Sequence, residues 1–380
     1  MSGIYIHIPF CKQACNYCNF HFATSLKQKS EMIDALIKEI SITSSFFNTE
    51  QLKGKESIST IYFGGGTPSI LTTEDLTLIM AALQNRFVFE KDIEITLEAN
   101  PDDITNNTLI AWQKIGINRL SVGIQSFSEE ELIWMHRAHT AAESLICIDK
   151  IKDAGFSNFS IDLIYGSPLL SNDGWKRNVD TVINKDIPHI SCYALTVEPK
   201  TALDKLITLQ KRENVDPEKQ ATQFLLLMNW LEEAGYEHYE ISNYAKPGFR
   251  SRHNSSYWSG DTYYGFGPSA HSFNGKERKW NVSNNATYIS SIQKGIIPSE
   301  KELLTVHQQL NEYIMTSLRT MEGLNLELIK KQFGMEAMTT ILVGSKKWEL
   351  SDKIKNQNQQ LILTKEGKLF ADGIAADLFF

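Results

Sequence analysis

Short apolar stretches alternate with longer segments along the first two-thirds of this chain, and in the longer ones apolar residues recur every three to four positions. The short stretches predict strands over residues 4–8, 59–63, 93–98, 119–125, 158–164 and 189–196. The longer ones predict helices over 31–41, 73–84, 102–114, 141–154, 174–184 and 217–234. The first buries Met32, Ile33, Leu36, Ile37 and Ile40 on one face, and Thr72 or Thr73 caps the second, with Glu74 and Asp75 in its first turn. Repeated strand–helix units predict a parallel sheet with right-handed crossovers. Six units, short of the eight of a closed barrel, point to an open, partial α/β barrel.

The pattern changes from about residue 299. A helix is expected over 302–320 with Leu303, Leu304, Leu310, Ile314 and Leu318, and a shorter one over 326–332 ended by Gly334. A strand at 361–363, a turn at 364–367 and a helix start at Leu369-Phe370 complete a mainly helical, winged-helix-like domain. The expected division is a barrel over 1–235, an extension over 236–298 and the C-terminal domain over 299–380, which sits as a lid over the barrel mouth.

Helix-covered parallel strands usually read as unbroken apolar runs, and several here do not. Ile93, Ile95 and Leu97 alternate with Glu94, Thr96 and Glu98. Leu120, Val122 and Ile124 alternate with Arg119, Ser121, Gly123 and Gln125, and Phe159, Ile161 and Leu163 with Ser160 and Asp162. One face of each strand is therefore polar, and unpartnered carboxylates are costly in a dry core. An internal ion pair such as Arg119 with Glu94 would satisfy part of it; a polar ligand satisfies more. Glu98, Gln125 and Asp162 lie toward strand C-termini, where barrel active sites form.

Three thiols follow the first strand in Cys11-Lys12-Gln13-Ala14-Cys15-Asn16-Tyr17-Cys18. Thiolates this close repel unless a metal shares their charge, and a disulfide would leave one over. Zinc with His21 as a fourth ligand is one solution. A [4Fe–4S] cluster with its fourth iron open to an outside ligand is the other. Cys147 and Cys192 each stand alone in apolar segments and read as inert core residues. Gly64-Gly65-Gly66-Thr67-Pro68 follows the second strand with no Lys-Ser or Lys-Thr after it, so it lets backbone approach a ligand without being a phosphate loop.

A third cluster, Arg252-His253-Asn254-Ser255-Ser256-Tyr257-Trp258 and then Gly265 to His271, is rich in Gly, Ser and aromatics and predicts a long ordered loop. His253 is a candidate haem ligand, with Tyr257 and Trp258 as flat apolar surface, or else a histidine bonded within the loop.

Charge narrows the function. A net charge of −7 over 380 residues argues against general nucleic-acid or membrane-surface binding. No apolar run reaches membrane-spanning length, and Met1-Ser2-Gly3 leads straight into a strand without a secretory signal. A cytoplasmic location is expected.

The CxxxCxxC spacing after a first strand resembles radical S-adenosylmethionine (SAM) proteins. Tyr5-Ile6-His7-Ile8-Pro9-Phe10-Cys11 and Gly64 to Pro68 resemble the oxygen-independent coproporphyrinogen III oxidase family in particular. Its oxidases carry CxxxCxxCxC, whereas Phe20 stands at the last cysteine position here, and they have a longer segment before the first strand. Both departures, and the HNxxYW pattern from His253, resemble the family's haem-chaperone branch.

The resemblance implies a radical-SAM barrel with the cluster on Cys11, Cys15 and Cys18. It implies SAM contacts from Tyr5, Tyr17, Phe20, Gly64, Gly65, Gly66 and Thr67. Glu98 would meet the amine, Arg137 the carboxylate, and Gln125 and Asp162 the ribose. His271 stands where the oxidases make an apolar contact to a second SAM, so a second SAM site is not expected. Haem bound through His253, Tyr257 and Trp258 would pass to an acceptor protein, with an electron donor if the cluster is redox-active. The alternatives are coproporphyrinogen III oxidation and a zinc-stabilised interaction protein.

Overall fold

The computed structural model describes residues 2–44 and 55–380. Its frame is one sheet. Strands β1 (Ser2–Ile8), β2 (Ser57–Gly65), β3 (Val88–Ala99), β4 (Arg119–Gln125), β5 (Phe159–Tyr165) and β6 (His189–Ala194) pair in that order, all parallel, as the alternation predicts. Beyond β6 the sheet continues antiparallel through β8 (Asn243–Ala245) and β7 (Glu237–Glu240). On the other side of β1 lie β9 (Thr262–Phe266), parallel to β1, then the antiparallel β10 (His271–Phe273), β11 (Glu277–Asn281) and β12 (Ser299–Leu303).

The two faces of the strands divide as their sequences do. Ile4, Ile6, Ile61, Phe63, Leu97, Leu120, Val122 and Ile161 belong to one buried apolar core that includes the flanking helices. Burying each such side chain contributes about 1.5–3 kcal/mol before ordering costs are subtracted. Tyr5, Thr60, Tyr62, Glu94, Thr96, Arg119, Ser160 and Asp162 occupy the alternate positions and make the polar interior.

Glu94 does not pair with Arg119. Its carboxylate accepts from the backbone N–H groups of Arg252 (3.1 Å) and His253 (3.0 Å), while Ser251 accepts from that of Asn254 (3.2 Å). Residues 252–258, expected as loop, are therefore a capped helix, Arg252–Trp258, whose free amide donors are satisfied from a distant strand. β9 follows it over Thr262–Phe266, a turn spans 267–270, and His271 begins β10. Arg119 is buried, with Nε and Nη2 unpartnered among the described residues.

The C-terminal domain has its own core of Leu310, Ile314, Leu318, Leu324, Ile329, Ile341 and Leu361. Helices Val306–Leu318, Leu326–Phe333 and Met335–Leu350 pack with a small antiparallel sheet, β13 (Leu324–Asn325), β14 (Ile354–Gln357) and β15 (Gln360–Leu363). Residues 302 and 303, expected as the start of the 302–320 helix, instead belong to β12, which pairs with β11 as the edge of the large sheet, and the helix starts after the Thr305 cap. The domain docks beside β7, through Ile241 N–H to the Arg319 carbonyl (3.0 Å) and Met321 N–H to the Tyr239 carbonyl (3.0 Å). It is not a lid over the mouth: the residues lining the cleft there end at Glu198. Among the described residues no helix is long and apolar enough to cross a membrane.

Candidate functional site

The cysteine loop leaves β1 through Pro9 and closes on itself, with Ala23 N–H donating to the Pro9 carbonyl (2.9 Å) and Cys11 N–H to the Ala23 carbonyl (3.1 Å). Its far side is stapled to the end of the helix Glu129–Met135. Asn16 N–H donates to the Met135 carbonyl (3.2 Å), Gln13 Nε2 to the His136 carbonyl (2.9 Å), and His136 Nδ1 to the Ala14 carbonyl (2.8 Å). Lys12 pairs with Asp102 (2.7 Å) and with Asp103, beyond β3. Cys11, Cys15 and Cys18 are free, partly exposed, and line one cleft of about 380 Å³ at the C-terminal ends of β1–β6. That volume is within the usual range for small-molecule sites. Burial pushes the Cys11 thiol up to about 11 and raises Cys18, so loading a metal must displace protons.

Across the cleft stands the end of β2. Gly65 has φ +108°, and a Cβ there would come within 2.7 Å of the His7 ring. A Cβ on Gly66 would lie 2.5 Å from the Phe10 carbonyl oxygen. Gly66 N–H and Thr67 N–H donate to the carbonyls of Ile8 (2.8 Å) and Phe10 (2.7 Å), so the glycines press β2 against the root of the cysteine loop. Gly65, Gly66 and Thr67 line the cleft; Gly64 is packed among Tyr5, Tyr62 and Glu98 beneath it. Tyr5 is likewise below, its ring 6.2 Å from that of Tyr62 and its hydroxyl donating to His7 Nδ1 (3.3 Å).

Three of the cleft's charged groups come from β3, β5 and the residue after His136; Glu198, beyond β6, is a fourth. Glu98 accepts from Tyr62 OH (2.8 Å) and from Gly65 N–H (3.2 Å). Burial dominates these bonds, and with Asp162 nearby the carboxyl is raised to about 7. Asp162 is raised to about 6 by burial, which outweighs Ser191 and Arg119. Arg137 gives Nη2 to Asn100 (2.9 Å) and to the Gly123 carbonyl (2.8 Å), and Nη1 to Cys15 Sγ (3.1 Å). Its Nε is buried and unpartnered among the described residues. Gln125, at φ 68°, ends β4 beside a register shift and also lines the cleft. Tyr17 packs against Met135, Ile164, Leu195 and Leu203, and Phe20 stands at the rim, 67% exposed.

Twelve of the expected residues thus share one cleft. His21 does not line it: its Nε2 bonds Asn285 Oδ1 (2.8 Å). Among the described residues, no three His, Cys, Asp or Glu side chains are gathered as around a single ion. A cubane cluster spreads its thiolates over separate irons, so three cysteines on one cleft wall suit a cluster better than one zinc. A larger groove of about 600 Å³ lies outside the barrel, between the helices Thr73–Arg86 and Asn106–Ile115, with Lys114 as its one charged side chain.

The expected haem residues are elsewhere. His253 is 1% exposed, with Nδ1 bonded to Thr60 Oγ1 (2.8 Å) and Nε2 to Tyr257 OH (2.9 Å). Burial lowers it to about 3, so the ring is neutral. Trp258 carries the Arg319 guanidinium 5.1 Å from its ring centroid. Sequence reasoning missed Tyr62 and Asn100. Tyr62 shares the inward face of β2 with Thr60 and Gly64, a signal the alternation did carry.

Residues 5–182 match the Radical SAM superfamily, the class this cleft and sheet define. The fold is similar throughout to coproporphyrinogen III oxidase (HemN) from Escherichia coli, a radical SAM enzyme, with a TM-score of 0.83 over 100% of this chain and 90% of that one at 21% identity. Sequence goes further. The chain is 32% identical to the haem chaperone HemW of Bacillus subtilis over 379 residues, covering 98% of each. It is 34% identical to that of Escherichia coli over 273 residues, covering 71% of this chain and 69% of that one. It belongs to the HemW haem-chaperone family of radical SAM proteins.

Proposed function

We propose that the protein holds a [4Fe–4S] cluster on Cys11, Cys15 and Cys18, binds SAM beside it, and delivers haem to an acceptor protein. The observation that carries the cofactor reading is the single cleft. Three thiols line one wall, while Glu98 and Arg137 offer an ammonium and a carboxylate opposite charges. The unpartnered Nε of Arg137 is a donor suited to a carboxylate. Gln125 and Asp162 can bond ribose hydroxyls. Bound there, cluster and SAM would supply reductive cleavage chemistry; the chain's own residues hold and orient the nucleotide and narrow its access to water.

Haem is the cargo that the relatives' names give, and the acceptor is a partner protein. The exposed rings of Phe20 and Tyr193 at the cleft rim offer a porphyrin flat apolar surface. His253 in its present bonds offers the iron no free nitrogen. An electron donor is a further partner wherever the cluster cycles. Oxidase turnover is not expected, because Phe20 stands at the position of the oxidases' fourth cysteine.

The test is anaerobic reconstitution followed by four measurements. About four irons and four sulfides per chain are expected, with SAM bound, haem transferred to an apo-haem protein, and no protoporphyrinogen IX formed from coproporphyrinogen III. Stoichiometric zinc without sulfide, or oxidase turnover without haem transfer, would replace this reading.

A further inference from the structure

The helix Arg252–Trp258 packs against the sheet's polar face through the buried His253 and Ser256, and one set of its contacts leads toward Glu98. Tyr62 OH donates to Glu98 Oε1 (2.8 Å). The Tyr62 ring is stacked between Tyr5 (centroids 6.2 Å apart) and His253 (5.1 Å, 23° between planes). His253 cannot rotate in place without losing Thr60 or Tyr257, each bonded to one of its ring nitrogens. The helix's first turn is fixed to β3 by Glu94. A Cβ on Gly3 would lie 2.9 Å from Thr60 Oγ1 and 3.4 Å from the imidazole, so β1 also packs closely against this pair.

The other end of the helix faces the C-terminal domain. Trp258 meets Arg319, which bonds Glu240 (3.2 Å) and Asp372 (3.3 Å). The helix therefore touches the group behind the cleft at one end and the second domain at the other.

We infer that the helix Arg252–Trp258 is a clasp that sets Glu98 for SAM from behind, with His253 as a positioning residue acting through Tyr62, and that it links the seating of the C-terminal domain to the SAM site. The inference rests on the reading of the cleft as a SAM site. It assigns the histidine, tyrosine and tryptophan of HNxxYW to the frame that holds the cofactor rather than to the haem iron. Iron ligation by Nε2 would require Tyr257 to release it and the helix to leave the interior.

The test uses the cluster-loaded full chain, with SAM affinity from equilibrium dialysis and haem binding from the Soret and low-spin bands. Tyr62→Phe keeps the stack and removes the hydroxyl that Glu98 accepts, and weakens SAM by about tenfold. His253→Ala removes the ring that fixes Tyr62; it weakens SAM to a similar extent and leaves the haem spectrum as in wild type. His253→Phe restores a ring beneath Tyr62 and brings SAM affinity back to within about threefold of wild type, while thermal stability falls because Thr60 and Tyr257 lose their partner. Arg319→Ala weakens SAM by about threefold from the far side.

Wild-type SAM affinity in a folded His253→Ala protein overturns the inference, as does loss of the low-spin haem bands in both His253 variants. Should His253→Ala not fold, unchanged affinity in both Tyr62→Phe and Arg319→Ala overturns it equally. A wild-type protein that binds no SAM removes the cleft reading itself, which distinguishes that failure from a failure of the clasp.

Discussion

Glu98 gives the sharpest quantitative test of the cleft. In Glu98→Gln the new amide fits the old partners, its oxygen accepting from Gly65 N–H and its nitrogen donating to the Tyr62 hydroxyl. What disappears is the charge. A hydrogen bond to a charged group contributes about 1.5–3 kcal/mol, so SAM should bind roughly 10- to 150-fold more weakly at pH 8. The raised carboxyl adds a pH signature. Glu98 titrates at about 7 in the free protein, so its neutral acid dominates below that value and its carboxylate above. An ammonium pairs with the carboxylate, so SAM affinity should rise with pH, by about tenfold per unit on the acid side, and level off above about 7. A fall near or above pH 8 would follow as the SAM amine loses its own proton. The assay is isothermal titration of SAM into cluster-loaded protein from pH 5.5 to 8.5, with iron counted in each sample. Glu98→Gln should abolish the acid limb. Asp162→Asn, by removing the negative neighbour that helps raise Glu98, should move that limb to lower pH. A wild-type affinity that stays flat from pH 5.5 to 7.5 would refute the pairing of Glu98 with the amine.

Three further expectations follow from named contacts. Cys11→Ala, Cys15→Ala and Cys18→Ala should each lose the cluster's visible absorption and most bound iron and sulfide, measured after identical reconstitution. Gly66→Ala should lower cluster loading, because its methyl meets the Phe10 carbonyl and pushes β2 from the cysteine loop, and iron content in the folded variant reads this out. Glu39→Ala should destabilise the chain by about 2–6 kcal/mol, at about 1–3 kcal/mol for each buried donor it strands: Tyr288 OH (2.6 Å) and Gly267 N–H (2.8 Å), while Asn281 Nδ2 (2.6 Å) keeps the Gly267 carbonyl (2.9 Å). A urea midpoint within error of wild type would show that those donors find other partners.

The strands were legible because their period-two alternation persists even where the inward face is polar, as in Ile93 to Glu98. Most of the cleft was legible because its residues sit in motifs next to strand ends, where β1–β5 deliver them together. What escaped depends on distant partners. Glu94 read as half of an ion pair; in the fold it serves amides 158 and 159 residues away, and those amides make a helix of a segment with no apolar period. Leu303 and Leu304 fit the apolar spacing that continues through Leu310, Ile314 and Leu318, which suggested a helix from residue 302, but residues 299–303 are a strand. That strand forms because β11 offers an open edge, and nothing local in the sequence reports that edge. The His253 motif was legible as important, and its burial was not, since that follows from the stack with Tyr62 across the sheet.

The stapled cysteine loop has a consequence for the protein's lifetime. Its shape is set by bonds from Met135, His136, Ala23 and Asp102 that involve no metal. If Cys11, Cys15 and Cys18 hold the cluster proposed above, loss of its inorganic core to oxygen would not by itself break these bonds, provided the thiols are re-reduced. Recharging then becomes a delivery problem, limited by iron and sulfide supply and not by synthesis of new polypeptide. Repeated rounds of air exposure, thiol reduction and anaerobic refilling should return the same far-ultraviolet dichroism in both states. The working population in a cell exposed to intermittent oxygen would then be governed by how fast empty sockets are refilled.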